Sequence, residues 1–228
     1  MQFENREQAG RWLGQALLDH VGQDTLVLGL PRGGVPVAFQ VARTLDAPLD
    51  IWIVRKLGAP SQPELGLGAL AEGPAIHLNR QLIADLGISD REVMQAVRRE
   101  ARELRARVAR FRGARALPDL RGRTVILVDD GIATGGTTRA AIKGVRKLGA
   151  AQVIVAAPIA SPSVIATLRP AVDGILCLSQ PAEMFAIGAW YEDFRQVPDE
   201  EVNRLLGIAR WRAEIAVARG YPGAQPMR

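Results

Sequence analysis

Val125-Ile-Leu-Val-Asp-Asp-Gly-Ile-Ala-Thr-Gly-Gly-Thr-Thr138 is the stretch that decides the fold. Its four branched apolar residues read as a buried parallel strand. Asp129 and Asp130 stand where that strand ends, and a turn of Gly and Thr leads into a helix over Arg139 to Leu148. Ligands of open α/β sheets bind at the carboxyl ends of the strands. A turn of this kind offers backbone N–H groups and hydroxyls at a helix N-terminus, which suits a phosphate. Two adjacent carboxylates suit hydroxyl groups or a metal. A sugar phosphate carries both kinds of partner.

A nucleotide-binding P-loop competes for the same stretch. Gly131 and Gly136 have the right spacing, but Thr137 stands where the P-loop needs its lysine. Asp129 and Asp130 would also repel a triphosphate. A polar turn without a ligand is the plain alternative. It leaves two acids at a buried strand end with nothing to offset their desolvation.

Outward from this motif, strands and helices alternate, which argues for a parallel sheet. Helix spacing runs from Glu4 to Leu18, with Ala9, Leu13 and Leu17 on one face. Strands are expected at Thr25 to Leu30, Leu49 to Val54, Gln152 to Ala157 and Gly174 to Leu178. Helices are expected at Val35 to Leu45, Asn79 to Leu86 and Asp90 to Arg112. A short one follows Ser161 as N-cap with Pro162 at N1, and a last one runs from about Asp199 to Ala218. Leu57 to Gly73, with Gly58, Pro60, Pro63, Gly66 and Gly68, begins as a loop, and its later part with Ala75 to Leu78 suits a hairpin. The expectation is an α/β fold with a parallel twisted sheet flanked by helices. Residues 1–228 form one domain, with a core over about 22–179, a flexible loop over about 57–73 and a small hood mainly from 180–228.

At 228 residues and 48% apolar composition the chain has ample material for one core. The N-terminus has acids and no apolar stretch, so no secretory leader is read there, and no run reaches membrane-spanning length. Cys177 sits alone in an apolar run, as a core filler rather than a nucleophile. A cytoplasmic setting fits. The net charge of +5, carried mostly by arginine, suits an anionic small substrate or nucleic acid without separating them.

A second strand-end turn, Pro31-Arg32-Gly33-Gly34, follows Leu26 to Leu30. Its glycines let backbone approach a ligand closely, and Arg32 brings a forked cation suited to phosphate oxygens. Alone, the turn reads equally well as a tight connection with a solvated arginine. One strand later Arg55 and Lys56 are expected on the same rim of the sheet, and the three cations together suit a pyrophosphate.

The stretch from Val125 to Thr138 resembles the phosphoribosyl-pyrophosphate (PRPP) motif of type I phosphoribosyltransferases, and the likeness extends over nearly the whole chain. It implies that Asp129 and Asp130 hold the ribose 2′- and 3′-hydroxyls. Ala133, Thr134, Gly135, Gly136, Thr137 and Thr138 would wrap the 5′-phosphate. Arg32, Gly33 and Gly34 resemble the family's pyrophosphate loop, where the peptide entering the basic residue is often cis. Arg55 and Lys56 match its basic positions, and Leu57 to Gly73 its closing loop. Leu-Pro-Arg-Gly-Gly, Val-Arg-Lys-Leu-Gly-Ala-Pro and Val-Asp-Asp-Gly resemble in particular a bacterial subgroup whose members look like stand-alone enzymes without an assigned acceptor.

The resemblance implies Mg²⁺, bound through PRPP with Asp129 or Asp130 beside it, and transfer of the phosphoribosyl group to an acceptor, most readily a nucleobase. In hypoxanthine-guanine enzymes the residue before the loop threonine is an aspartate. Ala133 stands there, which argues against a 6-oxopurine. A loop carboxylate is then a candidate to serve the acceptor, with Glu64 first and Glu72 second; Glu64 as a plain solvated loop residue is the equal alternative. Phe185, Trp190, Tyr191 and Phe194 follow the last core strand, and the first three are candidates to stack on the acceptor; gluing the hood to the core is the equal alternative.

Rival readings are a PRPP-sensing regulator that binds RNA or DNA on the same fold, and a hydrolase of phosphorylated ribose. The segment Asp90 to Arg112 has an apolar seam at heptad-like spacing and many arginines, among them Arg107, Arg110 and Arg112. That pattern fits a dimer or nucleic-acid helix, but charge on a helix face is usually solvated, here balanced by Glu92, Glu100 and Glu103. The expected partners are PRPP and a small acceptor, with a homodimer left open and neither membrane nor nucleic acid expected. His20 and His77 are isolated and receive no role.

Overall fold

A computed structural model describes residues 1–20, 22, 24–60, 62, 65–73 and 75–218. Five strands, β1 (Thr25–Gly29), β2 (Leu49–Ile51), β6 (Thr124–Val128), β7 (Gln152–Ile159) and β8 (Gly174–Ser179), form a sheet of order β2-β1-β6-β7-β8. Every neighbouring pair in it is parallel. A separate antiparallel sheet joins β3 (Val54–Gly58), β4 (Gly66–Ala71) and β5 (Ala75–Leu78). The helices are α1 (Arg6–Ala16), α2 (Gly34–Thr44), α3 (Arg80–Asp85), α4 (Asp90–Arg112), α5 (Gly136–Lys147), α6 (Pro162–Leu168) and α7 (Asp199–Ala218).

Alternation along the strands sends side chains to two buried faces, as a parallel sheet covered on both sides requires. Val27, Ile126, Val128, Ile154 and Ala156 pack with α1, α2, α4 and α7 residues such as Leu13, Val41, Leu104 and Leu205. Leu26, Leu28, Val125, Leu127, Val153 and Val155 pack instead with Ala141, Val145, Ile165 and Leu168 of α5 and α6.

The largest departure from the sequence reading lies after β2. The expected single strand Leu49 to Val54 is broken at Trp52, which is fully buried among Leu28, Leu127 and α5. Arg55 and Lys56 therefore lie on β3 of the antiparallel sheet, not at the end of a parallel strand. Regular strand also occupies much of the expected 57–73 loop, leaving 59–65 as the connection between β3 and β4. Main-chain bonds hold the two residues of the break to either sheet, Trp52 N to Gly29 O of β1 at 3.0 Å and Ile53 O to Glu72 N beyond β4 at 2.9 Å.

One buried ion cluster fixes the base of the hairpin. Arg112, 2% exposed at the end of α4, pairs with Glu72 and lies 3.4 Å from Asp50, and it donates to Ile51 O at 2.7 Å. Burial raises the Glu72 carboxyl above its ordinary range, and Arg112 opposes the shift. Glu72 is thus a buried structural partner of Arg112, not a loop carboxylate free to meet an acceptor. Arg112 and Glu100, expected on a solvated face, are both buried. No helix among the described residues is long and apolar enough to cross a membrane.

Candidate active site

Strand order places the site. The chain leaves β1 toward β2 on one side and leaves β6 toward β7 on the other, so a crevice opens between the carboxyl ends of β1 and β6, where open α/β sheets bind ligands. The two turns singled out in the sequence meet there. Leu30 N donates to Val128 O at 2.9 Å, joining the strand ends. A methyl group added to Gly33 would lie 2.6 Å from Asp130 Cγ, and one added to Gly34 would lie 2.9 Å from Asp129 Cα. Only glycine lets the first turn pass this close to the acidic pair. The Pro31–Arg32 peptide is cis.

The acids differ in their surroundings. Asp130 Oδ2 accepts from Arg6 Nε at 2.8 Å, and its main-chain carbonyl accepts from Tyr191 Oη at 2.7 Å. Asp129 Oδ1 accepts from Asp130 N at 2.9 Å. Burial, and then the neighbouring Asp130 charge, push the Asp129 carboxyl well above its ordinary range. Beyond the acids, Ala133 and Thr134 are exposed, and Gly135 caps α5 with φ 73°, a left-handed backbone suited to glycine. The first N–H groups of α5, from Gly136 to Thr138, have no intrahelical partner by construction, as at helix N-termini that bind phosphate.

Arg6 was missed in the sequence. Its guanidinium stacks 3.8 Å from the Phe194 ring centre and donates to Arg195 O at 2.9 Å. Nothing local marks it, because its partner Asp130 lies on a different strand end. Tyr191 also departs from expectation. It is buried against Phe3 and Phe194, and burial raises its phenol far above the ordinary range, so it braces Asp130 and offers no face for stacking. Phe185 is 94% exposed, and with Trp190, Met1, Gln2, Glu183 and Ala189 it lines an open pocket of about 300 Å³. Ile187 packs over Gly131.

On the other rim, Arg32 Nη1 lies 3.5 Å from Asp199 Oδ1 at the start of α7. Arg55 donates twice to Glu100 of α4, at 3.0 and 2.8 Å. Lys56 lies on the exposed side of β3, with its stem against Gly66. Glu64 lies outside the described residues. Cys177 is half-buried and its thiol is pushed up to about 11 by burial, as suits a filler.

A family model for the phosphoribosyl transferase domain matches residues 3–188. The chain belongs to this family. A Mycobacterium tuberculosis protein, whose own assignment as a phosphoribosyl transferase is provisional, is 46% identical over 208 residues in each of two strains. The match takes in 91% of this phosphoribosyl transferase family chain but 47% of that protein, so the chain spans about half the length of the curated relatives it matches. A stand-alone architecture therefore does not describe those relatives. The crystal structure of TT1426 from Thermus thermophilus is 40% identical, with TM-score 0.78, over 90% of this chain and 98% of that one. A purine phosphoribosyltransferase from Pyrococcus horikoshii is more distant, 19% identical with TM-score 0.47 over 85% of this chain and 90% of that one.

Proposed function

We propose that the protein transfers the 5-phosphoribosyl group of PRPP to a nucleobase acceptor and releases pyrophosphate. The observation that carries this reading is the contact of Gly33 and Gly34 with Asp129 and Asp130, which sets a basic turn and an acidic pair on either side of one crevice. A ligand bearing pyrophosphate on C1 and hydroxyls on C2 and C3 of a ribose matches that juxtaposition.

In this reading the 5′-phosphate sits in the turn from Ala133 to Thr138. Asp129 and Asp130 accept hydrogen bonds from the ribose hydroxyls and favour the positive charge that develops on the sugar as the C1–O bond breaks. Arg32, Gly33, Gly34, Arg55 and Lys56 receive the departing pyrophosphate. Arg6 holds Asp130 in place from behind. Phe185 and Trp190 are the acceptor-side candidates, because they line one pocket.

The donor set also suits a metal of limited kind. Among the described residues no three His, Cys, Asp or Glu side chains gather as a cage. That fits Mg²⁺ carried on substrate oxygens with Asp129 or Asp130 beside it, where it would neutralise diphosphate charge. A cytoplasmic place in nucleotide metabolism follows from such a substrate.

The test is a panel of nucleobases with Mg²⁺-PRPP, read as pyrophosphate release, with calorimetry of PRPP binding. One base turned over is the expected result. A folded protein that neither binds PRPP nor releases pyrophosphate with any base would overturn the reading.

A further inference from the structure

Helix α4 touches Arg55 of β3 and Asp199, the carboxylate that Arg32 faces. Near its middle, Glu100 receives Arg55 of β3. Three turns on, Arg110 Nη1 donates to Asp199 Oδ2 at 2.6 Å, while the other oxygen of Asp199 faces Arg32. Arg107 lies between these contacts, two turns past Glu100 and one turn before Arg110, so all three share a face. It is half-buried, whereas Arg102 and Arg105 on the same helix are exposed. Arg107 makes no hydrogen bond or ion pair with any of the described residues. Burial, and then the charges of Arg55 and Arg32, hold its guanidinium below the usual arginine range, with Asp199 acting in the opposite sense.

Four guanidiniums, those of Arg55 and Arg99 on Glu100 and of Arg32 and Arg110 on Asp199, thus share two carboxylates, and Arg107 stands among them as a fifth with neither. Arg110 and Arg99 are largely exposed, but Arg107, Arg55 and Arg32 are partly withdrawn from water, which is costly for like charges, and an anion resolves the cost. A structural arginine would hold a partner, as Arg112 does in its buried cluster, and a solubilising one would face water. Arg107 does neither. We infer that Arg107 is a further binding residue for the pyrophosphate group of PRPP, completing a cradle with Arg32 and Arg55. The inference rests on the phosphoribosyltransferase reading above. The forked guanidinium matches two phosphate oxygens at once, which an ammonium does not.

The experiment is calorimetry of the full chain with Mg²⁺-pyrophosphate and, separately, ribose-5-phosphate. Arg107→Gln should weaken pyrophosphate binding by roughly ten-fold or more, as for loss of a bond to a charged group. Arg107→Lys should fall between that variant and wild type. Arg102→Gln, an equal charge change on the exposed face, should bind as wild type. Ribose-5-phosphate affinity should not move in any of them. A folded Arg107→Gln with wild-type pyrophosphate affinity, or with equal losses for both ligands, would overturn the inference. Should Arg107→Gln not fold, Arg107→Met keeps the apolar stem and carries the same two outcomes. Wild-type protein that bound neither Mg²⁺-pyrophosphate nor PRPP would sink the whole reading of the site, this inference included.

Discussion

Gly33→Ala tests the closeness of the two turns. Gly33 has φ −60° and ψ −35°, which any residue adopts, so the substitution carries no backbone penalty and its effect is steric. The new methyl would stand 2.6 Å from Asp130 Cγ, against an ordinary carbon contact of about 3.5 Å. The carboxylate or the turn must give by about 1 Å. Such a shift stretches the 2.8 Å bond from Arg6 to Asp130 beyond hydrogen-bond range. Overpacking of this kind costs about 1–3 kcal/mol, and loosening a nearly buried ion pair adds to it. For a chain of this size that is a fall in Tm of roughly 2–12 °C, measured by thermal denaturation. PRPP affinity, measured by calorimetry, should fall with it because the displaced carboxylate is the one proposed to hold the ribose. Gly136→Ala is the contrast, since the nearest atom to its added methyl is Thr134 Oγ1 at 4.0 Å and its stability should be unchanged. Gly33→Ala with wild-type Tm and wild-type PRPP affinity would refute the packing of the pyrophosphate turn on Asp130.

Other outcomes separate the parts of the site. Arg32→Ala should harm pyrophosphate and PRPP binding far more than ribose-5-phosphate binding, while Thr137→Val should harm every ligand with a 5′-phosphate; equal losses in calorimetry would mean the two turns are misassigned. The raised Asp129 carboxyl keeps its proton to higher pH than an ordinary aspartate, and hydroxyl donors favour its ionised form. Binding of Mg²⁺-PRPP should therefore release protons and strengthen as pH rises from the ordinary carboxylate range through the raised value. Calorimetry in buffers of different ionisation enthalpy, corrected for the ligand's own titration, reads this, and proton uptake would contradict it. The same shift stabilises the fold fully below the ordinary aspartate range and is lost as pH rises through the raised value. Glu72→Ala removes the closest carboxylate of buried Arg112, leaves it only Asp50 and the Ile51 carbonyl, and should cost about 3 kcal/mol, visible as a reduced denaturation midpoint. An unchanged midpoint would show that the buried cluster contributes nothing.

What the sequence disclosed follows from range. The strand, acids, turn and helix of residues 125–148 are one contiguous unit, and their patterning is local, so the sheet, the crevice and the acidic pair were all legible. The cap at Ser161 was equally local. The break at Trp52 carried no Gly or Pro, because what ends β2 is a tryptophan drawn into the core beneath α5, a tertiary event. Pairings across the chain were silent for the same reason. Arg6 meets Asp130 from 124 residues away, and Arg55 meets Glu100 from 45. Composition alone gives every arginine of α4 the same standing, and only packing divides Arg112, Arg107 and Arg102 into buried, half-buried and exposed.

The bracing of Asp130 bears on how such a scaffold is rebuilt. Phe3 pairs beside Tyr191, Phe3 N donates to Trp190 O at 2.9 Å, and Glu192 N donates to Phe3 O at 2.8 Å. Arg6 is sandwiched between Asp130 and Phe194. The first residues and the segment after β8 are therefore one transplantable unit, although they stand far apart in the sequence. A chimera that takes residues 187–195 from a relative must take residues 3–6 with them. Otherwise it joins a foreign aromatic face to a native arginine, and the mismatch is felt first at the carboxylate beneath both.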